Sequence, residues 1–154
     1  MIACTPVIAE PTPVQAEAKR SLEKTAQMEE YRGSIFVQAR GDGIDYRPIL
    51  NRAANLDKTA LVSLFTMKFM GEPGETHCTV LRDLMQLWGD AKFAEVLVSQ
   101  PQEVRDLVVS SIDYAWADPD WIDYSRTLAA SPASISKRPK AEQAAPSGGG
   151  KPSN

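Results

Sequence analysis

The sequence predicts an all-α fold, a small helical bundle or stacked helical hairpins, with about six short helices and disordered N- and C-terminal segments. Three observations predict it. From Tyr46 to about Ala130, large apolar residues recur at offsets of three and four. Pro48, Pro73, Pro101 and Pro119 stand where helices can begin, and Gly71, Gly74 and Gly89 where they can turn or end. The connections left between these marks are only about two to six residues long, which favours antiparallel neighbours.

The elements follow in order. Residues 1–13 hold three prolines and no basic residue, which reads as a disordered end or a targeting remnant rather than a helix. Val14 to Tyr31 is rich in Ala, Glu, Lys and Gln, so a helix is expected. Its apolar stripe, Val14, Ala18, Leu22 and Ala26, is thin. That suggests a partner-binding arm or a frayed helix lying over the domain. Ser34-Ile35-Phe36-Val37 is strand-like and is expected to be an extended anchor, so residues 14–43 form a polar helix and linker.

The core domain spans residues 44–130. Its first helix is expected over Pro48–Asn55. Asp57 is the expected N-cap of a helix from Lys58 to Met70. A third runs from Glu75 to Trp88, with Leu81, Leu84, Met85 and Trp88 inward and Arg82, Asp83 and Gln86 on the other side. Asp90 then caps a short helix carrying Phe93, Val96 and Leu97, and Pro101 opens one to about Trp116. Asp118-Pro119-Asp120 reads as the start of a last helix. Residues 131–154 contain four of the 11 prolines and no aromatic residue, and Ile135 is their one large aliphatic side chain. They are expected to be a disordered tail, because too little apolar surface is available to offset the entropy of ordering.

Composition bounds the function. Seventeen Lys and Arg against 20 Asp and Glu leave a net charge of -3, which speaks against nucleic-acid binding through bulk charge. One histidine cannot build a multi-histidine metal site, and two cysteines cannot build a disulfide framework. No P-loop, GxGxxG, CxxC, HExxH or GxSxG motif is present. No cofactor is therefore expected, and no transmembrane segment. As the chain stands it reads as cytoplasmic. Val7-Ile8-Ala9 and Met1-Ile2-Ala3-Cys4 resemble the ends of signal and lipoprotein peptides, so a start further upstream would place it in the bacterial envelope.

Two groups of residues invite chemistry. His77-Cys78 is the one His-Cys pair, but neighbours on a helix point about 100° apart. The expectation is a buried structural cysteine beside an exposed histidine. The acidic-aromatic run Asp113 to Tyr124 concentrates four Asp, two Trp and two Tyr. Asp118, Asp120 and Asp123 could gather a hard cation, or the rings and carboxylates a small ligand. Asp118 and Asp120 are equally explained as helix-start residues, and Trp and Tyr are common interface anchors. The leading expectation is a non-enzymatic interaction or scaffold domain with a protein partner. Its candidate surface comprises Tyr114, Trp116, Asp118, Asp120, Trp121 and Tyr124, or the thin Val14–Leu22 stripe.

Overall fold

A computed structural model describes residues 9–116 and 124–132. Among these residues the fold is all-α, with eight helices and no strand. They are α1 (Pro13–Ala26), α2 (Ile35–Gly41), α3 (Tyr46–Ala54), α4 (Lys58–Phe65), α5 (Glu72–Trp88), α6 (Asp90–Val98), α7 (Gln102–Ala115) and α8 (Ser125–Ala129). α5 is the axis, packing against α1, α2, α3, α6 and α7. α3 lies against α4, and α8 covers α6. Residues 1–8, with Cys4, and the tail from residue 133 lie outside the described residues.

α1 begins with a capping box. The Thr12 hydroxyl accepts from the Gln15 amide N–H at 3.2 Å, and the Gln15 side chain accepts from the Thr12 amide at 3.0 Å. The thin stripe is not a detached arm. Ala18, Leu22 and Ala26 are buried, and the helix packs chiefly against α5. Two of those three residues are alanines, and small side chains let a narrow stripe make a close helix contact. The far end is fixed by Arg47, whose guanidinium donates to the Ala26 and Met28 carbonyls at 2.6 and 2.9 Å and lies 4.2 Å from the Phe36 ring centroid.

The run Ser34–Val37 is not extended. Ser34 is the N-cap of α2, and Ile35, Phe36 and Ala39 are buried. The β-favouring residues have no strand to pair with among the described residues, so the backbone satisfies itself by helix formation. The spacing of 35, 36 and 39 is helical, a signal that extends beyond the four-residue run.

α3 starts at Tyr46, two residues before Pro48, which sits in its first turn. It ends in a Schellman arrangement. Leu56 N–H donates to the Ala53 carbonyl at 3.1 Å and Asp57 N–H to the Arg52 carbonyl at 3.1 Å. The residue in the left-handed position is Leu56, with φ 64°. Asp57 caps α4 as expected, accepting from the Ala60 amide at 3.1 Å.

α4 stops at Phe65 rather than Met70. Ser63 and Thr66 both turn their hydroxyls back onto the helix carbonyls at 3.0 and 2.9 Å, competing with the regular ladder. α5 begins three residues earlier than expected, after Gly71 at φ 64°, with Pro73 in its first turn. Gly74 is dictated by approach: a Cβ there would stand 2.8 Å from the Phe69 carbonyl oxygen.

Two polar residues on α5 lie opposite to expectation. His77 is buried and Cys78 only half-buried. His77 is four residues before Leu81 and so shares its face. Asp83, placed by periodicity on the outer side, is also buried, because α1 covers that side. A central helix has no outer side for a single-face pattern to identify. Asp90 is the first residue of α6 and caps another helix instead of its own. Its carboxylate accepts from the amides of Arg126 and Thr127 at 2.9 and 2.8 Å, at the start of α8. Asp118-Pro119-Asp120 lies outside the described residues.

Two backbone predictions follow from this geometry. Leu56→Gly removes the left-handed strain on a half-exposed side chain and stabilises the protein by about 0.5–1 kcal/mol. Gly74→Ala forces the Phe69 carbonyl to move and destabilises by about 1–3 kcal/mol. Urea unfolding midpoints of the two variants should shift in opposite directions.

Candidate interaction groove

The early end of α4 leaves Thr66–Met70 crossing between α4 and α5 without helical pairing of its own. Met67 turns inward, Phe69 is partly buried, and Met70 projects outward with 80% exposure. On one side, this segment and the α7 residues Leu107, Ser111 and Tyr114 enclose an open groove of about 480 Å³. On its other side Met67 and Phe69 share in a second depression of about 690 Å³, bounded by Ile44, Ile49 and the exposed Asp42 and Asp45.

His77 and Cys78 line the first groove. Leu64 Oxygen can only accept, so His77 Nε2 carries the proton and donates to it at 3.1 Å. Nδ1 then accepts from the Tyr46 hydroxyl at 2.8 Å. The imidazole is neutral and both nitrogens are engaged, one of them on the open end of α4. Burial lowers its pKa from 6.5 to about 4, although the bond to the Leu64 carbonyl favours the charged form. Tyr46 is fully buried, and burial raises its phenol pKa well above 10. Cys78 is hydrogen-bonded with the Ser111 side chain, and burial raises its thiol pKa. Burial thus works against a thiolate at Cys78 and a charged imidazole at His77.

Of the acidic-aromatic segment, the described aromatic residues have different surroundings. Tyr114 faces the groove, is 66% exposed, and donates to Glu75 Oε1 at 3.3 Å. The nearby Glu75 charge raises its phenol pKa. Trp116 and Tyr124 are partly buried against the core and meet each other with ring centroids 5.1 Å apart. Two residues along a helix turn about 200°, which separates Tyr114 from Trp116. Asp118, Asp120 and Trp121 lie outside the described residues.

Trp116 instead borders a polar cavity of about 300 Å³ between α1 and α5. Within it the Ser21 hydroxyl donates to Asp83 Oδ2 at 2.6 Å, and Arg82 Nη2 donates to Oδ1 at 2.8 Å. Arg82 Nη1 also donates to the Ala115 carbonyl at 3.2 Å, at the end of α7. One carboxylate thus holds three helices together, and its charge is matched where it is buried.

Sequence periodicity passed over Met67, Phe69 and Met70 as groove residues, because it ran α4 on through Met70, and it read Leu107 as part of the inward face of α7. The two hydroxyl residues Ser63 and Thr66 ahead of them are the signal that could have ended that helix. Among the described residues no group of three His, Cys, Asp or Glu is arranged to hold a metal ion. No helix among them is long and apolar enough to cross a membrane.

His77 makes stability pH-dependent with a definite sign. Its folded-state pKa of about 4 lies below the unfolded value of 6.5, so the unfolded chain takes up the proton first. The contribution is complete above pH 6.5 and is lost as pH falls toward 4, on the order of 3 kcal/mol in all. Urea unfolding of the wild type and His77→Gln across this range should show the gap between them shrinking as the solution is acidified. A constant gap would exclude the neutral, buried imidazole.

Comparison with protein-family models, curated proteins and solved structures finds no match.

Proposed function

We propose that this chain is a non-enzymatic protein-interaction domain that receives an apolar side chain of a protein partner in the groove between Met70 and Tyr114. One observation carries the reading. Met70 and Tyr114 are the two most exposed large apolar side chains among the described residues, and they come to the same groove from the α4–α5 crossing and from the end of α7. Isolated exposed apolar residues are ordinary, whereas two converging on one depression mark a contact surface. The chemistry suits that role. Methionine adapts its shape to a partner, and tyrosine offers a broad ring with few rotamers to lose. Of the surface expected from sequence, Tyr114 is the residue this proposal retains.

The test is affinity capture from native cells with the full chain and with the double variant Met70→Asp, Tyr114→Asp. The partner bound by the wild type should be depleted about 5- to 30-fold, the effect of losing hot-spot contacts worth about 1–2 kcal/mol. Both side chains are exposed, so unfolding midpoints should change little. Val98→Asp, an exposed position on α6, should leave capture intact. Undiminished capture by the double variant would remove the groove from the reading.

A further inference from the structure

We infer that the crossing from α4 to α5 is an edge for strand addition: an extended segment of a protein partner, apolar at alternate positions and carrying a basic residue, pairs its backbone with Lys68–Met70 and lies in the depression beside Ile44 and Ile49. The depression lies across the crossing from the groove, and the inference does not rest on the groove reading.

Met67 to Met70 alternate as a strand does. Met67 is buried and Lys68 exposed. Phe69 turns in, its ring centroid 5.7 Å from that of Tyr46 and 5.1 Å from that of His77, and Met70 is exposed again. No turn or bend interrupts these four residues. Yet, among the described residues, no backbone group bonds the N–H or C=O of Lys68, Phe69 or Met70. An unpaired row of this kind is a template for another chain.

One edge of the row is closed by α5. The Phe69 carbonyl oxygen stands 2.8 Å from the place a Cβ on Gly74 would take. Across a trans peptide the N–H points opposite to the C=O, so Met70 N–H points away from α5. In an extended chain the Lys68 carbonyl shares that open edge. The depression of about 690 Å³ has no α5 residue in its lining, so it runs along the same edge. A strand seated there donates to Lys68 C=O and accepts from Met70 N–H.

The lining sets the partner's chemistry. Ile44, Pro48 and Ile49 give it an apolar face, and Asp42 and Asp45 are exposed beside them. Side chains of a strand alternate, so partner residues at i and i+2 meet the isoleucines. A Lys or Arg next to them meets the carboxylates, which outnumber Lys68, the one basic residue of the lining. This charge contact is exposed, so it steers the encounter and weakens with salt. A second copy of this chain is the poorer occupant, because it brings its own Asp42 and Asp45 to the seam.

The probe is a displayed library of random linear decapeptides selected on the full chain. Selected peptides should share apolar residues at alternate positions and a flanking Lys or Arg. A synthetic peptide of that sequence is then N-methylated at one amide at a time. Affinity should fall at least about threefold at every second position and hold between them, because only one edge of a strand faces its neighbour. On the protein, Met70→Pro removes the N–H and should weaken binding by a similar factor, whereas Met70→Asp keeps it and should not. At about ten times its dissociation constant the peptide should slow solvent exchange of the Met70 amide about tenfold, read by NMR. No selected peptide, N-methyl effects without alternation, or an unprotected Met70 amide overturns the inference. Protection that rises with protein concentration in the absence of peptide gives the edge to a second copy and also overturns it. The groove reading fails separately. Native capture undiminished by Met70→Asp, Tyr114→Asp removes the groove and leaves the edge, whose N–H that variant retains. Peptide binding lost in the same variant moves the peptide to the groove and removes the edge.

Discussion

A helix enclosed by five others cannot rely on one apolar stripe, and α5 is in that position. Every polar group it carries inward must find a partner, because an unpaired buried group costs about 1–3 kcal/mol. His77 and Asp83 meet that constraint in different ways. The imidazole stays neutral and spends both nitrogens, one on Tyr46 and one on the open end of α4. The carboxylate stays matched by Arg82 and reaches Ser21 on α1. The placement of α1, α3, α4 and the end of α7 is tied to these two residues, about one and two-thirds turns apart.

The groove is a consequence of the same constraint. α4 ends where Ser63 and Thr66 turn on its own carbonyls, and His77 accepts the role of closing it. The chain must then travel from Phe65 to Gly71 without helical pairing. It does so close against α5, at the glycine that has no Cβ to obstruct the Phe69 carbonyl. An extended crossing of this kind cannot turn every side chain inward. Met67 ends buried and Met70 exposed, and the exposed one shares the groove with Tyr114. The exposed surface is therefore built from the termination of one helix and the close start of the next.

Much of the fold was legible in the sequence. The helical class, the Asp57 cap, the C-terminal end of α5 at Trp88 and the run of α7 all follow from local chemistry, which acts over four residues. What periodicity misplaced depends on neighbours far along the chain. Ser34–Val37 has strand-forming residues and, among the described residues, no strand to join. The α1 stripe is thin, and alanines make thinness sufficient once α5 is opposite. Asp90 looks like the cap of its own helix and caps α8, 37 residues on from it in the longer of its two bonds' separations. For the site, Tyr114 was legible as an aromatic at an unusual run. Met70 was not, because a Met at helical phase reads as core until the helix is known to have ended.

The meeting of Trp116 with Tyr124 has a further meaning. Their rings lie 5.1 Å apart, and Asp90 fixes the α8 start immediately after. The described residues on either side of positions 117–123 therefore meet at one place. Closure entropy grows only logarithmically, by about 0.6 kcal/mol for each doubling. The architecture thus has a port at which extra sequence can be accommodated while the bundle on either side keeps its packing.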